Sequence, residues 1–90
     1  MSFIYRIHAI ERMFERDISE LDVEKVVNNG EIIKTYSNDK PYVSYLILGY
    51  IEKRAIHVVY ALDENSQTII ITVYEPSLDK WDNGFRLRKQ

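Results

Sequence analysis

Cysteine is absent from the 90 residues, so neither a disulfide nor a thiolate-ligated zinc can contribute, and packing must stabilise the chain. That absence fits a reducing compartment. No run approaches the roughly 18 apolar residues of a membrane span, and the opening Met1-Ser2-Phe3-Ile4-Tyr5-Arg6 meets Arg6 and His8 too early for the apolar region of a signal peptide. A cytoplasmic protein with no membrane partner is expected. There is no glycine-rich phosphate loop and no nucleophilic-serine motif. Two histidines without cysteine argue against a dedicated transition-metal site, so no metal and no cofactor is expected. An excess of positive charge is also absent: the net charge is −2, which disfavours a nonspecific nucleic-acid binder that relies on an overall positive field. Any contact with RNA must use a local patch.

What remains is enough for one compact domain over residues 1–90. Hydrophobic residues make up 46% and charged residues 29%, far from the composition of disordered chains. No repeat, low-complexity run or linker interrupts the chain. Residues 3–16 read as a first helix with Ser2 as its cap and Ile7, Ile10 and Phe14 as its apolar side, Met13 beside them. Ser19 followed three residues later by Asp22 is a variant capping box, and Asn28-Asn29-Gly30 is a stop, which predicts a short second helix. Beyond Gly30 the composition turns to β-branched and aromatic residues. Strands are expected over 31–36, 42–51, 55–62 and 68–75, and their short connections imply antiparallel neighbours. The fold class is α+β, two N-terminal helices packed on an antiparallel sheet of about four strands. The tail from Ser77 has no clear secondary structure.

Strand alternation separates Ile56, Val58, Tyr60 and Leu62 from His57, Val59 and Ala61, and Ile69, Ile71 and Val73 from Ile70, Thr72 and Tyr74. His57, Thr72 and Tyr74 can therefore share a face, provided the cross-strand register allows it.

At about 100° per residue, His8, Arg12 and Arg16 fall within about 80° of one another, with Tyr5 in the same arc and Ile7, Ile10 and Phe14 opposite. Such a cationic stripe suits an anionic ligand. It is equally an ordinary solvated face relieved by pairs such as Arg12 with Glu15. His57 is either a structural histidine with a hydrogen-bond partner or, if near His8, half of an acid–base pair for RNA transesterification, one imidazole deprotonating the 2′-OH and the other protonating the leaving oxygen. Arginines would then stabilise the phosphorane charge. Tyr74 could bind a phosphate or stack on a base, although seven tyrosines in one chain make sheet packing the ordinary role. Arg86, Arg88 and Lys89 either clamp phosphate or solvate a terminus that Trp81 and Phe85 pin to the core.

The segment His8-Ala9-Ile10-Glu11-Arg12-Met13-Phe14-Glu15-Arg16-Asp17-Ile18-Ser19 resembles the start of a bacterial family of small domains of formerly unknown function, often encoded beside a YgiT-type zinc-finger antitoxin. Gly30-Glu31, Pro41-Tyr42, Leu46-Ile47-Leu48-Gly49, Ile56-His57-Val58-Val59, Thr72-Val73-Tyr74-Glu75-Pro76 and Trp81 continue that family's pattern in order. The resemblance implies a RelE-like fold and the toxin half of a toxin–antitoxin pair, an endoribonuclease with an RNA substrate and an antitoxin partner, and the scarcity of metal ligands makes the expected chemistry metal-independent. Carried over residue by residue, it implies catalytic roles for His8, His57, Arg12 and Tyr74 and substrate binding by Arg16, to which the basic tail adds Arg86 and Arg88. The acidic balance departs from the basic character of ribosome-dependent RelE-like toxins, which points to free RNA. The alternative is a non-catalytic module that inhibits its target by occupancy, and fold alone does not choose between them.

Overall fold

The computed structural model describes residues 3–90, so Ser2 lies outside the described residues. The elements run β1 (Ile4–Tyr5), α1 (Ile7–Arg16), α2 (Glu20–Asn29), β2 (Glu31–Tyr36), β3 (Ser44–Ile51), β4 (Arg54–Leu62) and β5 (Thr68–Tyr74). The class is α+β, as the composition predicts, but the sheet has five strands in the order β1-β5-β4-β3-β2, and it is mixed. Where a helix was expected to begin at residue 3, Ile4 and Tyr5 pair in parallel with Ile69 and Ile70, and the Arg6 amide donates to the Ile70 carbonyl at 3.1 Å. Pairing along the edge of β5 satisfies backbone groups that an extra helical turn would have left facing that edge. Arg6 is the extended N-cap and makes no side-chain cap bond.

The two helices end and begin by different devices. Asp17 adopts the left-handed conformation at φ 54°, and the Ile18 amide reaches the Met13 carbonyl at 2.9 Å, closing α1 with Ile18 packed in the core. Ser19 and Asp22 form the expected reciprocal box: the Asp22 amide donates to Ser19 Oγ at 3.0 Å, and the Ser19 amide donates to the Asp22 carboxylate at 3.1 Å. Glycine is required where α2 meets the sheet. A Cβ on Gly30 would lie 2.5 Å from the carbonyl oxygens of Leu48 and Val26.

One face of the sheet carries Ile47, Ile56, Val58, Tyr60, Ile70 and Val73, buried against Ala9 and Met13 of α1 and Val23 and Val26 of α2. Ile70 was expected on the opposite face from Val73. The register explains the difference: Val59 pairs with Thr72 and Tyr60 with Ile70, so Ile71 is an extra residue that shifts the alternation by one. The expected grouping of His57, Thr72 and Tyr74 does occur, because His57 pairs with Tyr74 and Val59 with Thr72. With Leu48, paired to His57, they form the second face. The tail packs there. Trp81 is buried, and Trp81 bridges to Arg88 around a loop that returns the Asp82 amide to the Leu87 carbonyl and the Lys89 amide to the Lys80 carbonyl. Among the described residues no helix is long and apolar enough to cross a membrane.

Candidate functional site

Because β1 spans only two residues, β5 runs on past it, and α1 crosses the free stretch. There a cleft of about 470 Å³ opens, lined by His8, Arg12 and Arg16 from α1, by Thr72, Tyr74 and Glu75 from β5 and its exit, and by Pro76, Ser77, Lys80, Trp81 and Arg88 from the tail. Four Lys or Arg side chains and one imidazole face one carboxylate. In a chain of net charge −2 this is a local concentration of positive charge.

The stripe lies beside the buried side of α1, not opposite it. Ala9 and Met13 are the only buried residues of the helix, whereas Ile7, Ile10 and Phe14 are 76%, 52% and 88% exposed. The expected apolar side is thus the solvent side. Periodicity fixes the period of an amphipathic helix; which side turns inward depends on how closely the backbone must approach β5, and a small alanine permits that approach. Tyr5 leaves the expected arc altogether, since it lies in β1, where its hydroxyl is buried without a partner. Burial and the charges of Glu20 and Glu24 push its pKa up to about 12.

Arg12 makes the foreseen pair with Glu15 at 3.0 Å, but both side chains are about half exposed and the contact holds the guanidinium only weakly. The end of α1 is fixed more firmly. The Arg54 guanidinium donates to the carbonyls of Arg16 at 2.7 Å and Asp17 at 3.2 Å, and pairs with Glu75 at 2.9 Å. It thereby neutralises the one carboxylate of the cleft and ties α1 to the exit of β5. Arg54 was expected in a turn; it begins β4 instead, and the reversal falls on Glu52, at φ 58°, and Lys53.

His57 is fully buried and stands behind Tyr74, not on the cleft wall. Its Nε2 lies 2.8 Å from the Phe85 carbonyl oxygen and its Nδ1 3.2 Å from the Tyr74 hydroxyl. The Trp81 ring meets the imidazole edge-on at 4.5 Å between centroids. Burial lowers the His57 pKa, with the Phe85 bond opposing, and burial also raises that of Tyr74. Of the remaining expected residues, Arg88 lies on the cleft with its guanidinium 5.5 Å from the Trp81 ring centre. Arg86 does not reach the cleft: it pairs with Glu31 at 2.8 Å beyond the tail loop. Thr72, expected on the face of His57 and Tyr74, lines the cleft too, while Lys80 and Ser77 are additions that no motif announces and that the fold of the tail alone brings to α1. Among the described residues no group of three or more His, Cys, Asp or Glu is placed to hold a metal ion.

One family model, described as a domain of unknown function (DUF4258), matches residues 5–75. The chain belongs to the DUF4258 family. No curated protein and no solved structure matches it. The DUF4258 match spans β1 to the exit of β5, so His8, Arg12, Arg16, His57 and Tyr74 fall within it, while Lys80, Trp81 and Arg88 lie beyond it.

Proposed function

We propose that this chain is a toxin of RelE-like kind that cleaves RNA without a metal ion, restrained by an antitoxin protein of zinc-finger type. The observation that carries the reading is the cleft between α1 and the tail, where His8 stands among Arg12, Arg16, Lys80 and Arg88. A phosphodiester binds to such a group of cations through charge-assisted hydrogen bonds, and a guanidinium is suited to the extra negative charge of the pentacoordinate phosphorane. His8 supplies the proton that the leaving 5′-oxygen takes up. The same cations explain how a chain of net negative charge can hold RNA.

The test is incubation of purified protein with single-stranded RNA in the presence of a chelator. Cleavage should leave cyclic phosphate or 3′-phosphate ends. His8→Ala should slow it by about 100-fold or more, while Arg12→Ala and Arg16→Ala should weaken RNA binding and reduce its salt dependence. An unchanged rate in His8→Ala removes the imidazole from the chemistry.

The second reading, inhibition by occupancy, is favoured by one observation: Ile7, Ile10 and Phe14 give α1 an exposed apolar face of the kind that protein partners cover. In that case substitutions on this face abolish toxicity and His8→Ala does not.

A further inference from the structure

We propose that Tyr74 accepts the proton of the nucleophilic 2′-hydroxyl of RNA while the buried His57 takes up the phenol's own proton, a role that rests on the RNA-cleaving reading above. The Phe85 carbonyl oxygen can only accept a hydrogen bond. The 2.8 Å contact therefore requires that His57 Nε2 carry a hydrogen. In the neutral imidazole Nδ1 is then a bare lone pair, and the hydrogen of the 3.2 Å contact belongs to the Tyr74 phenol, which donates inward.

Tyr74 also lines the cleft. A phenol whose single hydrogen points at His57 shows only lone pairs outward. Phosphate oxygens are repelled by them; a hydroxyl donor is attracted. The group a ribonucleotide has and a deoxyribonucleotide lacks, the 2′-OH, is such a donor, and it is the nucleophile of transesterification. The Arg and Lys side chains of the same cleft, Arg88 among them, are left to hold the phosphate.

The 2′-O–H bond breaks and its proton passes to Tyr74 Oη, as the phenolic proton passes to His57 Nδ1. The 2′-oxygen bonds to phosphorus, the bond from phosphorus to the 5′-oxygen breaks, and that oxygen takes a proton from the His8 imidazolium. The products are a cyclic phosphate and a 5′-hydroxyl, with His57 protonated and His8 neutral; proton exchange with solvent restores both. The His57 cation formed would have both N–H groups bonded, one to Phe85 and one to Tyr74, as a buried charge requires. The carbonyl plays the orienting part that a carboxylate plays in other triads. Phe85 itself stands at φ 59°, a left-handed conformation unusual for a phenylalanine. Backbone of this kind persists where its surroundings over-determine it.

A merely structural role for His57 needs the two hydrogen bonds but no basicity, and His57→Gln separates the two, since the amide can both donate to Phe85 and accept from Tyr74. In the full chain acting on RNA, His57→Gln and Tyr74→Phe are each expected to lower kcat by about 100-fold or more with KM little changed, and to change the pH–rate profile. A folded His57→Gln protein with wild-type kcat overturns the proposal. If the Gln variant does not fold, imidazole nitrogen NMR of the wild type decides. The expected spectrum has Nε2 protonated and Nδ1 bare, with the Nδ1 signal moving in Tyr74→Phe, and the opposite tautomer overturns the proposal. Wild-type protein that leaves RNA intact overturns the cleavage reading, and this role with it, even with the expected tautomer.

Discussion

His57 concentrates the residue-scale physics of the molecule. It has no exposed surface, both ring nitrogens are engaged, and burial holds its pKa below the ordinary 6.5. In the unfolded chain it titrates at the ordinary value. Below pH 6.5 the unfolded chain therefore binds a proton that the native protein refuses, and stability falls as the pH drops from there toward the folded pKa. Urea denaturation of the wild type on either side of pH 6.5 should show that loss, and His57→Gln should remove this contribution. An equal slope in the two proteins would show that other groups govern the acid limb. Alternation put Tyr74 on the histidine's face subject to register, whereas nothing in the sequence announced Phe85 as its partner. Tyr74 lies 17 positions away and Phe85 lies 28, and only the register of β4 with β5 and the return of the tail bring them together.

At the scale of elements, the two helices teach opposite lessons. The start of α2 is written in Ser19 and Asp22, since a hydroxyl followed three residues later by a carboxylate satisfies amides that the helix itself leaves unpaired. Ser19→Ala should cost about 1 kcal/mol, read as a lower denaturation midpoint. For α1 the period was legible and the direction was not: a sequence shows that Ile7, Ile10 and Phe14 share a side, while contact with β5 decides that Ala9 and Met13 face inward. Phe14→Ser should accordingly change stability by no more than about 0.5 kcal/mol. A loss of several kcal/mol would place Phe14 in the core and reverse the orientation of the helix.

For the whole molecule, the decisive contacts are those that join layers. Arg54 begins β4, closes the end of α1 and neutralises Glu75, so it holds the stripe of His8, Arg12 and Arg16 against the strand that carries Tyr74. With both side chains of its ion pair 36% exposed, the charge itself contributes little; the bonds to helix carbonyls matter more. Arg54→Met should lower stability by about 1 kcal/mol and speed hydrogen exchange at the amides of the last turn of α1. Protection unchanged there would mean that the Asp17 cap alone closes the helix.

Composition and local pattern determined the class of the protein: two helices, a sheet rich in β-branched residues, the absence of cysteine chemistry, and a helix carrying His8, Arg12 and Arg16. They did so because charge, turn chemistry and periodicity act within a few residues. Tertiary structure decided the rest. Pairing of Ile4 and Tyr5 with β5 made the fifth strand, the extra residue at Ile71 shifted one face of the sheet, and the folded-back tail added Lys80 and Arg88 to the cleft while leaving Arg86 with Glu31. Each of these depends on backbone and side-chain contacts between segments remote in sequence, whose register no local pattern specifies.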